Sequence, residues 1–130
     1  MKKVLFFCLF TVFLLVGAFA QNATLREGLY RTEGSSDMVD VERIGNSSTN
    51  YKMTWFLGST YDNPIIQSSG WISGNKLTVS ITYFNSAYFA IILGPNHNIR
   101  IGNKVTYTII TSTMFVDEIG QIWTWWREYL

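Results

Sequence analysis

Strict two-residue alternation constrains this chain more than any other feature. Residues 76–83 set Leu77, Val79, Ile81 and Tyr83 against Lys76, Thr78, Ser80 and Thr82. Residues 104–110 set Val105, Tyr107 and Ile109 against Lys104, Thr106 and Thr108. Residues 49–57 set Tyr51, Met53, Trp55 and Leu57 against Lys52 and Thr54. A period of two belongs to a pleated strand with one buried face. β-Branched and aromatic residues fill these runs, as strands favour. No window sustains a 3.6-residue period, so no long helix is expected.

Turn-forming clusters punctuate the pattern: Gly34-Ser35-Ser36-Asp37, Gly45-Asn46-Ser47-Ser48, Asp62-Asn63-Pro64, Ser73-Gly74-Asn75, Asn85-Ser86, Gly94-Pro95-Asn96 and Gly120. Their spacing is the rhythm of an all-β sandwich or barrel. Strands are expected at 28–33, 37–44, 50–57, 64–72, 76–84, 86–93, 98–110 and 121–128. Gly102-Asn103 marks a bulge in the seventh, or a hairpin that makes nine strands. The fold class expected is all-β, a single antiparallel up-and-down barrel of about eight strands, with a β-sandwich as the alternative. Closing the meander removes its exposed edges. The predicted core is Tyr30, Val39, Val41, Tyr51, Met53, Trp55, Leu77, Val79, Ile81, Val105, Tyr107 and Ile109.

The chain is 130 residues, 48% apolar and 15% charged, with net charge +1. That composition excludes a disordered chain and binding to a polyanion driven by bulk charge. Lys2 and Lys3, the apolar run Val4 to Val16 and the Ala18-Phe19-Ala20 junction have the three-part grammar of a secretory signal peptide. The alternative is an uncleaved anchor, since Val4 to Ala20 is 17 residues, the bottom of the spanning range. The organisation expected is a signal peptide at 1–20, a leader at 21–27 and one barrel domain at 28–130. Cleavage removes Cys8, the single cysteine. The mature chain then has eight basic and nine acidic residues, a net charge of −1. The expected location is secreted or periplasmic, with no membrane span after cleavage. Asn22 and Asn46 head two sequons, candidate glycosylation sites in a eukaryotic secretory pathway.

Several short motifs fall in succession. Gly28-x-Tyr30 opens the first strand, Val39-x-Val41 fills the second, and Tyr51-x-Met53-x-Trp55 fills the third. Ser69-Gly70-Trp71 ends the fourth, and Gly74-Asn75-x-Leu77-x-Val79 turns into the fifth. Over residues 28–93 this resembles small secreted bacterial domains of the lipocalin-like (calycin-like) barrel type. The resemblance implies a non-enzymatic binding protein that holds a small apolar ligand in its barrel or a protein partner on its surface. The lipocalin cysteines and longer cup loops are absent.

No catalytic constellation is visible. His97 lies in a turn, Gly94-Pro95-Asn96-His97-Asn98, with no nucleophile motif beside it, and reads as an exposed turn residue. Asp40 and Glu42 read as the solvated side of their strand, and Asp117-Glu118 as a loop. No metal cluster, phosphate loop or cofactor motif is present, so no metal, cofactor or nucleic-acid partner is expected. The unusual feature is Trp123, Trp125 and Trp126 within four residues. Alternation puts Trp123 and Trp125 on one face, and Ile122, Thr124 and Trp126 on the other. A half-buried strand needs only one apolar face, so the surplus reads as core shielded by the terminus or as a contact surface. The candidate contact residues are Trp123, Trp125, Trp126 and Tyr88, with Phe89 and Tyr129 extending the surface. The dull alternative has the leader lying over Trp126. A secreted inhibitor or adhesin, or a carbohydrate-binding module using exposed tryptophan, is the alternative function.

Overall fold

The structure, a computed structural model, describes residues 21–58 and 63–128. The predicted signal segment, Cys8 and Tyr129 lie outside the described residues. Eight strands form a closed antiparallel up-and-down barrel: β1 (Gly28–Thr32), β2 (Met38–Arg43), β3 (Asn50–Phe56), β4 (Pro64–Ser73), β5 (Lys76–Phe84), β6 (Lys104–Thr111), β7 (Met114–Val116) and β8 (Ile122–Arg127). Each strand pairs with its chain neighbours, and β1 pairs with β8 to close the ring. One helix, α1 (Ser86–Leu93), lies between β5 and β6.

The alternation sets the register. Tyr30 stands opposite Val39, Val39 opposite Trp55, and Val41 opposite Met53, so one side-chain row after another turns inward. Tyr30, Val39, Val41, Tyr51, Met53, Leu77, Val79, Ile81, Tyr107 and Ile109 are buried as predicted. Phe115, Trp123, Ile72 and Leu25 join the central cluster. Trp55 and Val105 are only half-buried and pack against its margin, contrary to expectation. Trp55 stands near the upper rim, at the penultimate position of β3, edge-on to Trp123 at 4.8 Å and stacked on Tyr107 at 6.0 Å.

Three further expectations are corrected. Residues 86–93 form a helix rather than a strand. Asn85 caps it, its side chain accepting from Tyr88 N, and Gly94 ends it at φ 87° before Pro95. The seventh predicted strand begins at Lys104 rather than 98, because the chain before it is a loop that folds back on β5: Gly102 N donates to Ile81 O and Ile81 N donates to Asn103 O. The true seventh strand, Met114–Val116, pairs with β6 across the two-residue turn Ser112-Thr113. Tyr83, expected inside with Ile81, is exposed: Ser68 faces Ile81 and Gln67 faces Tyr83, so the bulge at Thr82 flips the remainder of β5 by one side.

The leader closes the lower end. Ala23 N donates to Gly74 O, Arg26 N to Ser112 O, and Leu25 N to the Tyr51 hydroxyl. Those partners belong to the β4–β5 turn, the β6–β7 turn and β3. Leu25 is fully buried in the central cluster beneath them. The leader therefore plugs the lower mouth and does not lie over Trp126.

Candidate functional site

The interior is occupied by side chains. Tyr30 and Phe115 meet at 5.2 Å between ring centroids, Phe115 and Tyr107 at 5.4 Å, and Phe115 stacks on Trp123 at 6.4 Å. Burial raises the Tyr30 and Tyr107 hydroxyl pKa values above the ordinary tyrosine value, so both stay neutral. An eight-stranded barrel has room for side chains or for one small ligand, and here aromatic rings take the space.

The predicted contact residues are dispersed. Trp123 is core, its Nε1 donating to Asp117 Oδ2 at 3.0 Å, which removes it from any contact surface. Trp125 is half-buried, donates to Glu27 O, and lies under the Arg26 guanidinium at 3.7 Å. Trp126 is on the outer face, as alternation requires. The β1–β8 register passes from Leu29–Arg127 to Tyr30–Trp125, so Trp126 is the extra residue of a bulge. The Arg31 and Arg127 guanidiniums stand 4.6 and 4.4 Å from its ring. With Arg31, Ser35, Ser36 and Met38 it lines a cleft of about 170 Å³. Tyr88 is on α1, half-buried against Phe89 at 5.1 Å. The structure thus does not assemble Tyr88 with the tryptophans into one surface.

The polar candidates have structural partners. His97 is not an exposed turn residue: half-buried, it packs on Phe84 at 5.9 Å and Phe89 at 6.0 Å, and its Nδ1 accepts from Ile99 N. Asp117 holds the β7–β8 turn through Ile119 N and Gln121 N. Asn22 is an exposed sequon residue whose amide oxygen accepts from Gly74 N, and Asn46 is exposed in the β2–β3 turn. Asp40 contradicts its reading as solvated: it faces outward but is 4% exposed, and its Oδ1 makes no hydrogen bond. Burial pushes its carboxyl up to about 7, helped by a hydrogen bond with Glu42 and opposed by Lys52. Glu27, Glu42 and Glu128 share a cleft of about 310 Å³ with it. Among the described residues, no group of three His, Cys, Asp or Glu side chains is placed to hold a metal ion.

Sequence reasoning missed the most exposed apolar positions. Ile91 is 83% exposed, Ile119 in the β7–β8 turn 81% and Ile101 67%, and Ile92 and Leu93, next to Ile91 on α1, are exposed as well. Phe89 alone of the helix is buried. Ile91, Ile92 and Leu93 were hidden in a run that reads as a buried strand. The bracketing Asn85 and Gly94-Pro95 are a helix start and stop, and they were the available sign of a short helix instead. Trp71, 60% exposed on the outer face of β4, is flanked across the strands by Asn50 and Thr78. No described helix is long and apolar enough to cross a membrane. No protein-family model matches the chain, and neither a curated protein nor a solved structure is similar to it.

Proposed function

We propose that the chain is a secreted, non-enzymatic binding protein that works through the outside of its barrel, with the α1 end as its contact face. The observation behind this reading is the contrast between a filled interior and an uncovered apolar end. Tyr30, Tyr51, Met53, Leu77 and Phe115 are fully buried inside, and Leu25 stops the lower mouth. Ile91, Ile92 and Leu93, consecutive on α1, are exposed at the opposite end, and so is Ile101 in the same β5–β6 connection. Contiguous apolar exposure of this kind marks contact sites in soluble domains. On this reading the binding role sits at the rim of the barrel and not in a cup.

A fluorescent fatty acid such as cis-parinaric acid tests the choice between interior and exterior. Titration should give no one-to-one quenching of tryptophan emission, because Trp55 and Trp123 pack on each other and on Tyr107 and Phe115. Stoichiometric binding with quenching would overturn the external reading in favour of an interior ligand.

Trp71 supports a second reading, a carbohydrate face. An exposed indole can stack on a sugar ring, and Asn50 and Thr78 beside it offer hydrogen bonds to hydroxyls. Retardation in gels containing soluble polysaccharide, abolished by Trp71→Ala, would establish it. Equal mobility of the two proteins in every polysaccharide tried would remove it.

A further inference from the structure

We infer that the occupant of the α1 end is an anionic lipid bilayer, entered by Ile91, Ile92, Leu93 and Ile101 and held by Arg100 and Lys104. The inference rests on the reading of the α1 end as the contact face and names what it contacts. Three observations favour a bilayer over a protein groove.

The first is angular. Ile91, Ile92 and Leu93 are consecutive, and successive helical residues point about 100° apart, so they fan over more than half of the helix circumference. A protein groove engages a single stripe at i, i+3, i+4 and i+7. A fluid hydrocarbon surrounds a tip and satisfies all three directions at once. The helix has one inward residue, Phe89, resting on Phe84 at 6.3 Å and on His97. The remainder of its last turn is left to the surroundings.

The second is the charge pattern. Residues 77–99 contain no Asp, Glu, Lys or Arg. Burying any of those in hydrocarbon is costly, and their absence is what an inserted tip requires. At eight residues the helix is about 12 Å long, too short to span and of a size to dip into one interface.

The third is what borders the tip. The first charges after it are Arg100 and Lys104, both exposed. Arg100 Nη1 donates to His97 O at 2.7 Å and to Ile99 O at 2.8 Å, which fixes the guanidinium next to Ile101. Of the described carboxylates of this end, Asp37 accepts from Gly58 N, Asp117 from the β7–β8 turn and Glu118 from Thr106 N, while Glu33 is exposed in the β1–β2 turn, outside the 77–99 stretch that carries the tip. Cations at the level of the headgroups favour anionic lipid, each by about fivefold in partitioning. Tyr88, half-buried on the same helix, has the amphipathic ring that settles at headgroup depth.

Co-sedimentation of the exported protein with phosphatidylcholine vesicles, with and without phosphatidylserine, tests the inference. The protein should bind vesicles containing phosphatidylserine and bind pure phosphatidylcholine less. Ile91→Ser/Ile92→Ser/Leu93→Ser should weaken binding at least tenfold, and Arg100→Gln about fivefold, with thermal midpoints unchanged as proof of folding. Three results would overturn the bilayer: no sedimentation of the wild type, equal sedimentation of the triple variant, or a wild-type dimer that the triple variant dissolves. The first of these with no fatty acid inside the barrel leaves the external reading standing. One-to-one fatty-acid binding inside it removes that reading as well.

Discussion

The two ends of the barrel solve the same problem in opposite ways. At the lower end the strands are joined by short turns, Gly74-Asn75 and Ser112-Thr113 among them, and the leader is stitched across the opening by Ala23, Leu25 and Arg26. Every apolar residue of that seal faces the core. At the upper end the β5–β6 connection runs through residues 85–103, and its helix commits one side chain inward. The remaining aliphatic residues face out. A domain needs one end sealed to protect its core, and it is free to use the other. The comparison teaches that the apolar residues of the leader at the lower end are held by packing, while the outer aliphatic residues of α1 at the upper end are not, and substitutions should separate the two.

The largest effect belongs to the aromatic layer between the ends. Phe115→Ala should cost about 3–5 kcal/mol in urea unfolding, since its ring is fully buried among Tyr30, Tyr107 and Trp123. A cost under about 1 kcal/mol would mean that the interior is loosely filled and can admit a ligand. Leu25→Ala comes next, at about 2–3 kcal/mol. That is the lower part of the range for a buried leucine, because a segment near the chain start relaxes into the gap. A negligible cost would show that the leader decorates the lower end without sealing it.

The side wall gives a third test, with the opposite sign. Asp40 keeps its proton in the folded protein up to about pH 7 but loses it near pH 4 when unfolded. Its contribution to stability is therefore full below about pH 4 and is lost as pH rises through 7. Asp40→Asn should gain about 1 kcal/mol at pH 8 and little at pH 4, read as the difference between the two unfolding curves at each pH. A gain that is equal at both pH values would place the Asp40 carboxylate in water.

How far the sequence foretold this molecule depends on which element is considered. In β2, in β3 and in β5 as far as Ile81, every second residue is apolar, and the face that this pattern turns inward is the one that the structure buries, Trp55 only in part. The closed up-and-down order follows because sequential strands pair as neighbours, across short turns in most places and across the longer 85–103 connection between β5 and β6. Two features escaped. The run Ala87 to Leu93 is apolar throughout, so it has no period to distinguish a strand from a helix, and only the capping residues at its ends do so. The bulge that turns Tyr83 outward depends on where β4 meets β5 and leaves no local mark. For the candidate site, the face of Trp126 was legible from alternation. The arginines at its ring, the burial of Asp40 beside Glu42 and the exposure of α1 were not, because each depends on strands brought together by closure.

Trp126→Ser should cost about 1 kcal/mol, through the loss of the two guanidinium contacts. Removing residues 21–27 should not reproduce that change, because the leader runs to the β4–β5 and β6–β7 turns. If truncation and Trp126→Ser have the same, non-additive effect on the thermal midpoint, the leader reaches β8 after all and the lower end is larger than described.

The smallest effect carries the most for function. Ile91 is 83% exposed on a helix anchored by Phe89, so Ile91→Ser removes almost no buried surface. Its effect on stability should be within about 0.5 kcal/mol, the range of surface substitutions away from packing. Phe89→Ala, two residues earlier, should cost several times more, because it releases the helix from Phe84 and His97. The pair reads the upper end directly by thermal melts. If Ile91→Ser destabilises as much as Phe89→Ala, the outer side of α1 is packed against the protein, and the upper end is a second seal with no surface to offer. If only Phe89→Ala does, the aliphatic side chains do nothing for the fold, and an exposed patch of that composition is explained only by what it contacts.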